Sequence, residues 1–233
     1  SFTYVNKDVS KVITGRLGPS ALIGIQAVLI GLAIGLILGI LAAWKHNSGI
    51  DYFTMILAVL GVSVPNFVAA ALLQYYIGLK WGVLPVGFWT GWNCSVLPSI
   101  ALSFSATAMV ARFMRTEMLD VLDQDYIVTA RAKGISQAKV LMKHAVKNSI
   151  IPVVTVLGPI VVNLLTGSLA VENIFSIPGI GSLFVDCIKA NDYPVIMGIT
   201  IFYAAFYMLI VLLVDVVYSL IDPRIRLARG KEN

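Results

Sequence analysis

Side chains able to do covalent or metal chemistry are few and scattered along this chain. Two histidines (His46, His144) and two cysteines (Cys94, Cys187) occur in 233 residues, and their spacing matches no metal or redox motif. No Ser–His pair, His-rich motif or twin-Asp arrangement falls inside the long apolar segments, which argues against an intramembrane enzyme. The phosphate-cradling pattern G-x-x-x-x-G-K-[ST] is absent from the sequence, so the chain cannot hold a nucleotide in that way. What stands out is a basic, amphipathic stretch over 126–152, in which Arg131, Lys133, Lys139, Lys143 and Lys147 surround Gly134. Its chemistry is that of docking rather than catalysis.

The local signals in that stretch are specific. Asp125 is placed to cap a helix over 126–133, and Gly134 to stop it in the left-handed region. Ser136 is placed to cap a second helix over 136–147, with Ile135 and Val140 as its hydrophobic staple. Two short helices would then meet at a fixed angle, with Ala130 and Ala132 leaving room for a partner. A basic stretch lying on anionic lipid is the alternative; the glycine elbow between two separately capped helices favours docking.

The elements that must position this loop are read from composition. The chain is 58% hydrophobic and 12% charged, against about 45–50% and about 25% in soluble domains. An all-α integral membrane protein is expected. Apolar runs long enough to span a bilayer, about 20 residues each, fall at 20–43, 52–79, 96–111, 149–171 and 194–220. The connections then divide the 17 basic residues 12 to 5: Lys45, seven in the 112–147 segment and four in the tail, against Lys7, Lys11, Arg16, Lys80 and Lys189. The richer side is read as cytoplasmic, which puts the 112–148 loop and the 221–233 tail inside and the C-terminus in the cytoplasm. The net charge of +5 is therefore positional, and no nucleic-acid partner is expected. Five spans with that orientation place the polar 1–19 segment outside as a lead-in, and an upstream first span is expected before it.

Other features belong to the bundle and its two faces. Gly31, Gly35 and Gly39 flatten one side of the first span for close helix packing. Ser63, Asn66 and Gln74 fall within about 80° of one another on a helix, beside Pro65, which should kink it. Ser99, Ser103 and Thr107 form a stripe, and Thr155 and Thr166 align with Asn163. Three uncharged polar stripes fit a shared wettable interior, since polar groups in spans usually face one. Asp215 is read as pairing at the cytoplasmic end or with another subunit. Outside, the 80–95 loop carries Trp89 and Trp92, and the 172–193 loop carries Pro178, Gly179 and Gly181 in a turn-forming cluster. Asn191 and Asp192 should cap the last span, with Pro194 in its first turn.

At Val128-Thr129-Ala130-Arg131-Ala132-Lys133-Gly134 the chain resembles the type I permeases of binding-protein-dependent ABC importers, whose coupling loop carries an EAA-x3-G motif. Val128 and Thr129 stand where that motif has Glu and Ala, and the following Pro arrives late, as Pro152. Both departures resemble the oligopeptide/dipeptide branch, and so do the segments 172–181, 192–195 and 222–226. The B-type permease subunit is the nearest likeness, over about 9–227. The resemblance implies a transmembrane domain of six spans in the cytoplasmic membrane of a bacterium or archaeon. It implies a second, homologous permease, two cytoplasmic ATPases that use ATP and Mg, and an extracytoplasmic substrate-binding protein. It assigns ATPase coupling to Thr129, Ala130, Arg131, Ala132, Lys133, Gly134, Ile135, Ser136 and Lys139. Contact with the binding protein is expected at Trp89, Trp92, Pro178, Gly179 and Gly181, and the polar stripes would line a peptide path. No cofactor is expected on this chain.

The substrate expected is an oligopeptide, with dipeptides, nickel or glutathione as alternatives within the branch. A secondary transporter working without ATP is the competing class. It would need ion-coupling carboxylates or discontinuous helices at the midplane, and only Asp215 and Pro65 point that way.

Overall fold

Three glycines decide how the bundle is assembled. A Cβ at Gly31 would lie 2.8 Å from the Cβ of Ala106, one at Gly35 2.7 Å from that of Val110, and one at Gly39 2.6 Å from the carbonyl oxygen of Ala111. In the computed structural model, which describes residues 1–4, 7–165 and 169–221, those glycines seat helix α1 (Val9–Trp44) directly on α4 (Val96–Leu122). Close backbone approach is what small residues allow in lipid, where packing holds helices together. Around this pair stand α2 (Gly49–Ser63), α3 (Asn66–Leu73) with a π-helical extension Gln74–Lys80, α7 (Val146–Leu165) and α10 (Tyr193–Ile221). The shorter α5 (Asp125–Ala132) and α6 (Gln137–Val140) lie at one end, and α8 (Leu169–Ile174) and α9 (Ile180–Lys189) at the other. Helices and turns, and no strand, make up the described residues.

Among the described residues, four stretches are long and apolar enough to cross a membrane: Val9–Trp44, Trp92–Leu122, Val156–Ile174 and Tyr193–Val216. A fifth is formed if α2 and the Asn66–Lys80 helix count as one broken span. The best apolar window of α4 is 67% buried and that of α10 only 11%. So α4 is the axis of the bundle, and α10 leaves most of its apolar side chains uncovered.

Two spans depart from their expected form. The first begins at Val9, so more than half of the 1–19 segment is helix. Val12 and Ile13 are buried there with Ile180, Leu183, Val195 and Ile199. Apolar Val9, Val12, Ile13 and Leu17 share a helical face, and that pattern outweighs the lysines between them. The second span does not kink at Pro65; it breaks, and its halves meet at 100°. Val64, disfavoured from the helical region by the following proline, is extended at φ −82°, ψ 118°, and so is Pro65 at φ −59°, ψ 138°. Two successive extended residues turn the chain instead of bending it.

Candidate functional site: the Gly134 loop and its supports

The elbow forms as the residue types dictate. Helix α5 ends in a paired capping motif, in which Gly134 N–H donates to Arg131 O (2.9 Å) and Ile135 N–H to Ala130 O (3.3 Å). This geometry needs a left-handed residue after the cap, and Gly134 supplies it at φ +74°. Ile127, Ala130 and Val140 are buried together, with Ile135, Val121 and Leu122 packed against them. The elbow therefore has a small apolar core of its own, and its angle is fixed by packing as well as by caps.

The outer surface carries most of the residues assigned to coupling. Thr129, Arg131, Ala132, Lys133, Gly134, Ser136 and Lys139 are exposed, while Ile135 is half-buried. Ala130 is 8% exposed. Its small size serves the loop's own core, whereas Ala132 faces outward. The caps also differ from expectation. Gln124 rather than Asp125 precedes α5, and Asp125 sits in the first turn, where a negative charge meets the positive end of the helix. Ser136 holds the N-cap position of α6 without a side-chain hydrogen bond.

The second helix expected after the elbow is not a separate 136–147 element. From Gln137 the chain stays helical through a π-helical turn at Leu141–Ala145 into α7, as far as Leu165. Leu141 and Ala145 are buried against Ala43, Met114 and Met118, and Ser149 Oγ donates to Glu117 O (3.2 Å). Asn148 Nδ2 donates to Tyr126 OH (2.9 Å), which ties the start of α7 back to α5. Behind the elbow a recess of about 230 Å³ is lined by Trp44, His46, Asp123, Arg131 and Gln137 among others.

Two carboxylates that sequence reasoning missed are the anchors of the bundle. Asp51 is 2% exposed and receives both Arg115 Nε (2.5 Å) and Nη2 (2.8 Å), with Asn47 N–H at 3.0 Å. His46 Nδ1 lies 3.4 Å from the same carboxylate while its ring stays exposed. Asp51 and Arg115 lie 64 positions apart, and no local spacing announces them. At the other end of the molecule, Glu172 is 1% exposed and accepts from Ser20 Oγ (2.7 Å) and Ser182 N–H (2.9 Å). Ser20 Oγ in turn accepts from Ile180 N–H (2.8 Å). The carboxylate thus satisfies the free N–H end of α9, where negative charge is favoured.

That arrangement corrects the expected surface. Gly179 and Gly181 are buried, because a Cβ on either would strike the Glu172 carboxylate, at 2.3 Å and 2.8 Å from Oε2. They give close approach to a buried charge and offer no face to a partner. Pro178 and Trp89 are half-buried, whereas Trp92 is 75% exposed. Asp192 precedes α10 as expected, and its carbonyl accepts the N–H groups of Val195 and Ile196. Its carboxylate turns elsewhere, accepting from Ser1 Oγ and from the N–H groups of Phe2 and Thr3. Burial pushes the Asp192 carboxyl up, but these donors outweigh it and hold the group well below the usual carboxylate range.

The polar stripes divide. The break at Pro65 removes the common helical face assumed for Ser63, Asn66 and Gln74. Ser63 is exposed and Asn66 half-buried, while Gln74 Nε2 donates to Val86 O (2.6 Å) and Ile174 O (2.8 Å) as a tether between the 80–95 loop and α8. Ser99 is buried and spends its hydroxyl on Ser95 O and on Gln26 Oε1 of α1. Ser103 and Thr107 line a groove of about 750 Å³ between α1, α2, α3 and α4, whose walls are otherwise almost wholly apolar. Asn163 is exposed on α7. The side chain of Thr155, Thr166 and the 222–233 tail lie outside what is described; Asp215 itself is exposed on α10.

Comparison with known proteins agrees with this architecture. The family model for a binding-protein-dependent transport system inner membrane component matches residues 35–227. The chain is 45% identical over 227 residues to the dipeptide transport system permease protein DppB of Lactococcus lactis, covering 97% of this chain and 75% of that protein. It is 48% identical over 207 residues to DppB of Bacillus subtilis (88% and 67%), and 38% identical over 228 residues to the oligopeptide transport system permease protein OppB of Escherichia coli (97% and 74%). Among solved structures, the inward-facing MetNI methionine ABC transporter superposes with a TM-score of 0.76 at 14% identity, over 91% of this chain and 97% of that one. A histidine-bound amino acid ABC transporter superposes at 0.67 with 21% identity, over 92% and 94%. The fold is that of an ABC transporter transmembrane domain, and the chain belongs to the family of binding-protein-dependent transport system inner membrane components.

Proposed function

We propose that this chain is the membrane-spanning permease subunit of an ATP-driven importer, and that it translocates oligopeptides delivered by an extracytoplasmic binding protein. The observation that carries the reading is the exposed elbow at Gly134, which has its own apolar core and is continuous with a span. A second, homologous permease completes the path. Two ATPase subunits, using ATP and Mg, dock on the elbow from the cytoplasm, where the C-terminus also lies. Closure of the ATPases displaces the elbow, and the spans rock to open the cavity outwards. Trp92 and its neighbours in the 80–95 loop meet the binding protein, and Ser103 and Thr107 are this chain's best-placed polar contribution to the path. Fixed charge along that path would discriminate among peptides; hydroxyl groups serve the backbone that all peptides share.

A second reading, dipeptides, is supported by the two DppB relatives at 45% and 48% identity. Transport of labelled peptides of graded length by the assembled complex separates the two. Docking is tested by co-purification of the ATPase with wild-type and Ala132→Glu chains. The variant should insert in the membrane and lose the ATPase; full retention of the ATPase would overturn the docking role.

A further inference from the structure

Helix α2 meets the rest of the bundle along one narrow stripe, at the end of which Gly61 brings it close to Phe104 and Ala108 of α4. Only Asp51, Thr54 and Ala58 are buried along its length, while Tyr52, Phe53, Ile56, Val59, Leu60 and Val62 are exposed. Its far end terminates in the 100° break. Its near end is different. There Asp51 takes both arms of the Arg115 guanidinium in a two-point pairing, and Asn47 N–H, in the α1–α2 turn, closes on the same carboxylate. Paired N–H donors on one carboxylate fix direction as well as distance. Arg115 stands on the last third of α4, one turn from Met118, which packs on Leu141 and Ala145 just behind the docking elbow.

We propose that the Asp51–Arg115 pair is the positioning element that makes α2 follow the coupling loop during transport. Any displacement of the elbow reaches α4 through the Met114, Met118, Leu141 and Ala145 packing. From α4 it reaches α2 through the ion pair, and then the broken segment, whose Gln74 is tied to the 80–95 loop and α8 at the opposite end. Without the pair, α2 follows α4 only through the Thr54, Ala58 and Gly61 stripe, and its near end has no fixed direction. The proposal rests on the docking role of the elbow and names which residues outside it carry the motion onward.

The test uses the full permease pair assembled with its ATPases and binding protein in proteoliposomes, reading labelled oligopeptide transported per ATP hydrolysed. Asp51→Asn and Arg115→Gln should each assemble, hydrolyse ATP, and lower that ratio tenfold or more. The double variant should be no worse than either single, since both remove one interaction. Arg115→Lys, which keeps the charge but not the two-point geometry, should fall between and guards against loss of folding in the other variants. An unchanged ratio in assembled Arg115→Lys and Asp51→Asn complexes, or losses that multiply in the double variant, would overturn the proposal. Failure of the docking reading would look different: Ala132→Glu would then keep its ATPase whatever the Asp51 and Arg115 variants do.

Discussion

Gly134 offers the cleanest perturbation of the elbow, because sterics and backbone strain separate there. A Cβ added to Gly134 meets nothing within 4 Å, so alanine costs only what φ +74° costs an L-residue. That strain is about 1–2 kcal/mol, partly offset by about 0.4–1 kcal/mol from the reduced freedom of the unfolded chain. A net penalty of about 1 kcal/mol corresponds to roughly fivefold in an equilibrium constant. Asn tolerates the left-handed region and should stay near wild type, whereas β-branched Val should be worse than Ala. Proline should be worst of all. It cannot adopt the angle, and it deletes the N–H that Gly134 gives to Arg131 O. The assay is ATPase affinity for detergent-extracted permease, with peptide uptake measured alongside. The expected order is Gly, Asn, Ala, Val, Pro, with Ala weakened by roughly fivefold. Equal affinity across Asn, Ala and Val would refute the claim that the left-handed elbow shapes the docking surface.

Three further outcomes follow from the supports. Glu172→Gln should lower the thermal stability of the extracted protein by about 2–4 kcal/mol, since both carboxylate oxygens accept and an amide nitrogen there would face donors; a melting curve matching wild type would exclude it. Gly179→Ala should cost about 1–3 kcal/mol by overpacking, and less in a Glu172→Ala background where part of the collision is gone, as a double-mutant cycle in thermal unfolding would show. Asp192→Asn should loosen residues 1–3. Because the folded carboxyl lies below its unfolded value of about 3.9, its contribution is complete above that pH and is lost as pH falls through the depressed folded value. The variant's deficit, followed by hydrogen exchange at Phe2 and Thr3, should therefore be constant from pH 8 down to about pH 4 and shrink only in stronger acid.

The sequence discloses features whose cause is local. Gly134 with its flanking apolar residues signals a left-handed stop within six positions, and the Gly31, Gly35 and Gly39 spacing signals a packed face within nine. Features that depend on distant partners stay hidden. Asp51 and Arg115 each read as a surface charge until α2 and α4 are brought together. Glu172 sits beside Pro178, Gly179 and Gly181, which look like an ordinary exposed turn; only the fold shows that the glycines crowd a buried carboxylate. The size of the break at Pro65 was hidden because a proline alone licenses anything from a mild bend to a reversal. The Ser63, Asn66 and Gln74 stripe misled for a related reason: a helical face is meaningful only while the helix is unbroken.

The continuity of α6 with α7 gives the permease a lever arm. From Gln137 to Pro152 the helical run is about 22 Å long, with its short end at the elbow and no loop to absorb rotation. Tilting such an arm by about 10° carries its far end about 4 Å, roughly three-quarters of a helical turn. The π-helical turn at Leu141–Ala145 and the prolines at 152 and 159 are then the compliant points along it. Under the docking proposed for the elbow, the length of this arm sets how far a rotation there carries its far end, and these compliant points decide how much of it arrives.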